Sequence, residues 1–270
     1  MGNFMHDAVG RTQSTTDIMD PARAAAMQAA LGLEGAPPGE GDPVLPFGHR
    51  VYFWTHHHAS DLGPDGHPKL GGFIPDLGLP NRMWAGGRLR FLNPLCLGTR
   101  AERTTTIERV DHKTGRSGAM AFVTLRHEIT QGGRLAITEW QDLVYRGKRA
   151  KSAFRPDLAP TDPDHRVAIR FPETMLQRYS ALMFNAHRIH YDQAFVRREF
   201  GFPAVVVHGP LLAQFLMLMA QQQIGVLKSF DFRATAPLLA GEAGELCWRS
   251  DGTAWVSGPK GRLIMQSTAA

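Results

Sequence analysis

The chain of 270 residues carries a formal net charge of +5, and 43% of its residues are hydrophobic. This composition is typical of a soluble globular protein, and no apolar run approaches the roughly 20 residues of a membrane-spanning helix. The positive charge favours anionic ligands, while the lack of an arginine-rich helix argues against nucleic acid as a partner. The two isolated cysteines exclude a disulfide framework.

The first 81 residues predict one helix and much irregular chain. Asp20, followed by a proline, fits the start of a helix that ends near Gly32. Residues 35–48 and 56–81 are rich in Gly and Pro, which indicates loops. Residues 1–20 lack the apolar core of a signal peptide, so we expect a cytoplasmic protein.

From residue 88 the pattern changes to that of an antiparallel meander. Residues 148–164, with three prolines, then indicate a connection between two halves of the chain. Long strands, rich in β-branched and aromatic residues and separated by turn signals, are predicted at 88–91, 103–110, 119–130 and 135–146.

The second half predicts strands around one buried helix. Residues 167–171 and 204–207 predict short strands, and residues 172–183 predict a helix. Residues 210–223 are almost entirely apolar, and a helix that is apolar on all sides must be buried on all sides, as it would be inside a curved sheet. Further strands are predicted at 228–233, 245–249, 253–256 and 262–267.

The two halves share a weak internal repeat. Residues 91–98 and 232–241 both contain Pro-Leu-x-x-Gly and precede the same succession of strands and turns, which favours duplication. We therefore predict an α+β double hot-dog fold, in which each unit is a sheet wrapped around a helix. The expected units are residues 1–150 and 151–270, and the chemistry is expected in the second.

Residues 185–192, Asn-Ala-His-Arg-Ile-His-Tyr-Asp, concentrate acid–base and hydrogen-bonding groups within eight positions. A histidine near its natural pKa suits proton transfer, and a neighbouring amide or carboxylate can hold a water by hydrogen bonds. We interpret this segment as a candidate active site. The alternative is a capped surface loop with solvated histidines.

His208 and Gly209 lie where an apolar strand gives way to the apolar helix. The proline that follows leaves the amides of Gly209 and Leu211 free, and such a helix N-terminus stabilises a phosphate or a thioester enolate oxygen. The alternative is that the glycine only makes the turn. An iron site of His190, Asp192 and His208 is a further alternative, but its sequence spacing is unlike that of such centres, so no metal is expected.

These two segments resemble the motifs of the MaoC-like family, also called the hydratase-2 group of hot-dog enzymes. Residues 185–190 match the first motif, which reads roughly Ser-Gly-Asp-x-Asn-Pro-Ile-His, and residues 208–209 match the His-Gly pair before the central helix. The resemblance implies that His190 is the catalytic histidine and that the Gly209 amide contributes to the oxyanion hole. It also implies an acyl-CoA thioester as substrate, with neither a metal nor a redox cofactor.

One departure concerns the family's catalytic aspartate, which falls on Asn185. An asparagine can orient a water but cannot accept its proton at neutral pH. His190 would then be the only strong base, with His187 or Asp192 as its helper.

The same strings are similar to one branch of this family, and residues 81–87 resemble that branch's degenerate first hot dog. The branch contains mitochondrial-type 3-hydroxyacyl-thioester dehydratases and bacterial hydratases of branched C5 dicarboxylic CoA esters. The resemblance implies a homodimer that hydrates mesaconyl-C4-CoA (3-methylfumaryl-CoA) to citramalyl-CoA. Hydration of itaconyl-CoA, dehydration of a 3-hydroxyacyl thioester in fatty-acid synthesis, and non-catalytic acyl-CoA binding stay open as alternatives.

A dicarboxylic substrate would bring a free carboxylate into the pocket, and only a positive partner makes its burial tolerable. Arg188 is the nearest in sequence, and Arg82 and Arg88 are further candidates. The other residues expected to bind substrate are His187, His208 and Leu211.

Overall fold

The computed structural model describes residues 7–115, 118–147 and 156–270, so the expected unit boundary after residue 150 lies outside the described residues. The helices are α1 (Pro21–Leu31), α2 (Glu173–Leu182), α3 (Gln193–Phe200) and α4 (Gly209–Ile224). The strands are β1 (Thr12–Ile18), β2 (Asn81–Phe91), β3 (Arg100–Gly115), β4 (Gly118–Gln131), β5 (Arg134–Arg146), β6 (His165–Ile169), β7 (Ser229–Ala234), β8 (Gly244–Trp248), β9 (Thr253–Gly258) and β10 (Arg262–Ala269).

The ten strands form one continuous antiparallel sheet in the order β1-β3-β4-β5-β2-β7-β10-β9-β8-β6. Each half of this sheet repeats the same plan, because β1-β3-β4-β5-β2 and β6-β8-β9-β10-β7 place the first, third, fourth, fifth and second strands of their halves in the same sequence. In both halves the helices follow the first strand. This shared topology is the one that the internal repeat predicts for a duplicated hot-dog unit.

The two halves join where β2 pairs with β7, over residues 86–90 and 229–233. Two glycines of β2 make this approach feasible. A Cβ on Gly86 would lie 2.4 Å from the carbonyl oxygen of Phe232, and a Cβ on Gly87 would lie 2.9 Å from the Phe232 ring. Side chains at these two positions would therefore push the strands of the two halves apart.

Helix α4 is the central helix of the second half, as predicted. It packs against β7, β8, β9 and β10, and the side chains of Leu211, Leu216 and Met217 are fully buried. The first half differs, because its one described α-helix, α1, packs against α2. The irregular chain between α1 and β2 contributes apolar side chains to the core instead, among them Phe47, Val51, Tyr52 and Phe53.

The structure corrects three sequence predictions of secondary structure. Strand β1 was not predicted, because its polar sequence lies at the edge of the sheet. Residues 204–207 form only a single bridge, between Val206 and Leu239, rather than a strand. Helix α3 occupies part of the loop predicted up to residue 203, since Asp192 caps its start by accepting from the Phe195 N–H. None of the helices in the described parts of the chain is long and apolar enough to cross a membrane.

Candidate active site

His190 lies in a short 3₁₀ turn, Arg188–His190, between α2 and α3. Its Nδ1 is 2.8 Å from the carbonyl oxygen of Val206. A carbonyl only accepts, so Nδ1 carries the hydrogen and Nε2 keeps the lone pair. Burial lowers the pKa of His190 to about 4, although the bond to Val206 opposes this shift. The imidazole is therefore neutral at pH 7, and its pKa is not near the natural value that the sequence led us to expect.

His208 stacks on His190, with ring centroids 3.7 Å apart and planes at 19°. Its Nε2 is 2.8 Å from the Oγ of Ser180, and its ring meets the edge of the Tyr179 ring at 5.0 Å. Burial, and then the neighbouring His190 and His187, lower the pKa of His208 well below its usual value. His208 thus fixes the plane of the His190 ring as a neutral, buried neighbour.

Helix α4 begins directly after His208, which is its N-cap residue. The His208 carbonyl accepts from the Leu212 N–H, whereas the Gly209 and Leu211 amides have no acceptor among the described residues. A Cβ built on Gly209 meets nothing within 4 Å, so open space lies beside this helix start. The Leu211 side chain is fully buried in the core, which leaves only its amide for a ligand. The geometry has the free donors that an oxyanion hole needs.

Asn185 stands at the position of the family's aspartate and shapes the loop. Its Oδ1 accepts from the His187 N–H at 3.1 Å, and its own N–H donates to the Ser180 carbonyl at 2.8 Å. The amide NH₂ has no acceptor among the described residues and is the group left to hold a water.

Arg188 is held by the protein itself. Its Nη2 is 2.7 Å from Asp192 Oδ2, and its Nη1 donates to the Pro64 carbonyl at 2.9 Å. Asp192 in turn also caps α3. Its carboxylate is thereby occupied. Among the described residues, the ligand atoms of His190, Asp192 and His208 do not lie close enough together to hold one metal ion, which is against the iron-site alternative.

The other two candidate arginines, Arg82 and Arg88, both lie in β2 but have different surroundings. Arg88 is exposed and lies over the Trp140 ring, 5.3 Å from its centroid. Arg82 lies close enough to the His67 and His187 imidazoles to help lower the pKa of both, after the larger effect of burial. Of the two, Arg82 is the one that reaches the histidines of the site.

The structure adds two residues that sequence reasoning missed, Asp65 and His67. Asp65 accepts from the His67 backbone N–H at 3.0 Å, and its other oxygen is 3.0 Å from His67 Nδ1. The His67 ring lies 3.8 Å from that of His187, which in turn meets the edge of the His190 ring at 5.3 Å. The sequence signal was a carboxylate and a histidine flanking one glycine, inside a stretch that we had predicted only as loop.

Comparisons with known proteins find relatives of this chain over most of its length. A family model, hydroxyacyl-thioester dehydratase type 2, matches residues 47–240 and so includes all the site residues named above. The mesaconyl-C(4)-CoA hydratase of Chloroflexus aurantiacus is 42% identical over 234 residues, 85% of this chain and 83% of the relative. The mitochondrial hydroxyacyl-thioester dehydratase type 2 of Schizosaccharomyces pombe is 25% identical over 235 residues, 77% of this chain and 78% of the relative.

Among solved structures, a Mycobacterium tuberculosis protein described as having a double hotdog fold matches with a TM-score of 0.60 at 14% identity. The match covers 97% of this chain and 95% of that one, which confirms the predicted double hot-dog fold. Because the family model spans most of the sequence and a relative exceeds 40% identity, this chain belongs to the hydroxyacyl-thioester dehydratase type 2 family.

Proposed function

We propose that this protein is a hydro-lyase that adds water to an enoyl-CoA thioester, with mesaconyl-C4-CoA as substrate and citramalyl-CoA as product. One observation carries the proposal. The neutral imidazole of His190, with Nε2 free, stacks on the residue that caps α4, and the free Gly209 and Leu211 amides follow at the open start of that helix. A base and an oxyanion hole are thus brought side by side.

The reaction needs only groups that are present. His190 Nε2 takes a proton from water while the water oxygen bonds to the β-carbon and the double bond opens. The electron pair moves onto the thioester oxygen, where the helix amides stabilise the negative charge. The imidazolium then returns its proton to the α-carbon, which balances the addition of one water. Asn185, through its amide NH₂, is the group that holds the water oxygen.

The choice of substrate rests on one relative and one arginine. The relative that is 42% identical is a mesaconyl-C(4)-CoA hydratase, and its substrate carries a free carboxylate besides the thioester. Arg82 forms no ion pair with a described carboxylate and lies beside His67 and His187. We assign Arg82 as the partner of that carboxylate, because Arg188 is already bound to Asp192.

The test is the loss of enoyl-thioester absorbance with mesaconyl-C4-CoA, itaconyl-CoA and crotonyl-CoA. We expect the C5 diacids, mesaconyl-C4-CoA first, to be hydrated faster than crotonyl-CoA. Rapid turnover of crotonyl-CoA with neither diacid would contradict the substrate and favour a dehydratase like that of Schizosaccharomyces pombe. Binding of all three without turnover would indicate a non-catalytic acyl-CoA-binding protein.

Three further expectations stay predictions: a homodimer, a cytoplasmic location, and activity without an added metal or redox cofactor. Sedimentation of the purified protein tests the first. Assay after extensive dialysis against a chelator tests the third, and a chelator-sensitive hydratase would contradict it.

A further inference from the structure

The turn that carries Asp65 and His67 is docked on the loop of the candidate active site. The Arg188 N–H donates to the Asp65 carbonyl at 2.8 Å, and the Arg188 guanidinium donates to the Pro64 carbonyl at 2.9 Å. These bonds join residues that are more than 120 positions apart in the sequence. The first half of the chain therefore reaches into the site built by the second half.

Gly66 brings the two backbones into direct contact. Its φ is +88°, and a Cβ built on it would lie 1.8 Å from the Ala186 carbonyl oxygen. Any larger residue would collide with backbone, which cannot move aside as a flexible side chain can. The glycine thus allows Asp65 and His67 to lie directly beside His187.

The protonation of this pair is fixed by its hydrogen bonds. Both Asp65 oxygens face His67, one towards the backbone N–H and one towards Nδ1. Burial raises the pKa of Asp65, but the bonds to His67 outweigh it and bring the pKa to about 2. Because the carboxylate is ionised at neutral pH, His67 Nδ1 carries the hydrogen and its Nε2 keeps the lone pair.

His67 is the first of four imidazoles in a series of contacts, and His190, the proposed base, is the third. The His67 and His187 centroids are 3.8 Å apart, those of His187 and His190 are 5.3 Å apart, and those of His190 and His208 are 3.7 Å apart. Each ring is in van der Waals contact with the next, and the chain of contacts begins at a carboxylate. The loop itself has Asn185 where the family's aspartate stands.

We propose that Asp65 and His67 are positioning residues for the hydration reaction: they hold His187 against His190, and the Asp65 carboxylate supplies, from behind His187, the negative charge that Asn185 lacks. This proposal rests on the proposed hydratase function. When His190 takes the proton of water, the site gains a positive charge in a water-poor environment. The Asp65 carboxylate, which has an oxygen within 4.8 Å of a His187 nitrogen, stabilises that charge at longer range and exchanges no proton itself, because charges interact more strongly away from water. His190 still receives the proton and returns it to the α-carbon.

A metal ion is the competing interpretation of the same residues, since ligand atoms of Asp65, His67 and His187 lie within 4.8 Å of one another. Two observations oppose it. Both Asp65 oxygens are already used by His67, and the Arg82 guanidinium lies near both imidazoles, where it would repel a cation.

The experiment compares Asp65→Asn with Asp61→Asn, an exposed carboxylate in the same loop, by hydration of mesaconyl-C4-CoA across pH 3–9. We expect D65N to lower kcat about 10²-fold, near the lower end of what a placed acid–base group contributes, with KM nearly unchanged and D61N like the wild type. If the Asp65 charge stabilises the His190 imidazolium as proposed, its loss should lower the pKa of His190 and move the acid limb of kcat/KM to lower pH. Asp65→Glu keeps the charge and should restore that limb.

The results that would contradict this proposal can be told apart from one another. D65N with the wild-type rate would overturn the proposal, as would a slow D65N whose acid limb stays in place, which indicates a structural role only. Wild-type activity that a chelator abolishes and Zn²⁺ restores would establish the metal interpretation instead. A wild type that hydrates none of the three thioesters refutes the proposed function itself, whereas an active wild type matched by D65N refutes this proposal alone.

Discussion

The two halves of this chain have the same strand order but differ in what packs against the sheet. In the second half, α4 lies inside the sheet and presents its open N-terminus beside His190. In the first half, α1 packs against α2, and irregular chain covers the sheet instead. That irregular chain also carries Asp65 and His67 to the site of the other half. Loss of a central helix in one copy of a duplicated fold can therefore free chain to complete the site in the other copy.

Buried histidines of the two halves also differ, in whether both ring nitrogens have hydrogen-bond partners. In the first half, buried His127 has a partner on each nitrogen, with Nδ1 2.8 Å from the Thr105 hydroxyl and Nε2 3.3 Å from the Gln141 side-chain oxygen. In the second half, His190 has one fixed nitrogen and one free nitrogen. Burial lowers the pKa of His127 and of His190 alike, each to about 4. A shifted pKa alone would not have separated the structural histidine from the catalytic one, whereas the free nitrogen does.

The largest effect should come from removing the second half's base. We expect His190→Ala to lower kcat about 10³-fold, within the range of a general acid–base residue, while CoA-ester binding persists. Hydration rates and calorimetric binding measure the two quantities. His58→Ala, at an exposed position of the first half's loop, is the control, and unchanged turnover in H190A would exclude His190 as the base.

The next effect concerns the junction between the halves. Gly66→Ala should lower kcat by about 10- to 10²-fold, because the Ala186 carbonyl must move and His67 with it. Gly71→Ala is a matched control, since Gly71 also has a positive φ, +98°, but its Cβ would meet nothing within 4 Å. Both variants carry backbone strain of about 1–3 kcal/mol. Equal rates in the two would show that the docked turn does not contribute to catalysis.

A smaller effect should distinguish the two candidate arginines of β2. Arg82→Met should raise KM for mesaconyl-C4-CoA by roughly 10-fold or more, as expected for the loss of one charge-assisted hydrogen bond, and leave crotonyl-CoA unaffected. Arg88→Met, on the same strand but stacked on Trp140, should change neither. An equal loss with both substrates would exclude Arg82 as the partner of the free carboxylate.

The smallest effect concerns the pH dependence of folding. The pKa values of His190, His187 and His208 are all lowered in the folded protein, mainly by burial, so the unfolded chain binds more protons between about pH 4 and pH 6.5. The free energy of unfolding should therefore be highest above pH 6.5, where these histidines are neutral in both states, and should fall as the pH is lowered towards 4. Urea denaturation at pH 7.5 and pH 5 measures this, and H190A should weaken the dependence. A stability that rises on acidification would contradict the buried, neutral state of these rings.

Much of the fold and part of the candidate site could be predicted, because their signals lie in short stretches of the sequence. The strands of the meander and the apolar α4 follow from periodicity. The combination of residues 185–190 with His208 and Gly209 in one site is what the resemblance to the MaoC-like family implied. Arg188 was expected to bind substrate, but it pairs with Asp192 four positions later. That spacing predicts an ion pair only on a helix, and the segment was predicted as a loop.

What could not be predicted depends on contacts between distant parts of the chain. Asp65 and His67 lie in a stretch without periodicity, and their meeting with His187 depends on a turn that only the folded protein brings there. The exclusion of Arg88 and the placement of Arg82 likewise follow from three-dimensional neighbours. Sequence spacing within β2 could not decide between them.

The β2–β7 pairing has a consequence for how the chain is made. It joins Arg88 to Asp231, so during synthesis β2 must wait, with one edge unpaired, until nearly the whole protein has emerged. A glycine-containing edge strand of this kind is a template for pairing with another nascent chain, and such distant pairing forms slowly. A fragment limited to the first half should therefore self-associate, and the intact chain should depend on its last strands for monodispersity as well as for its active site.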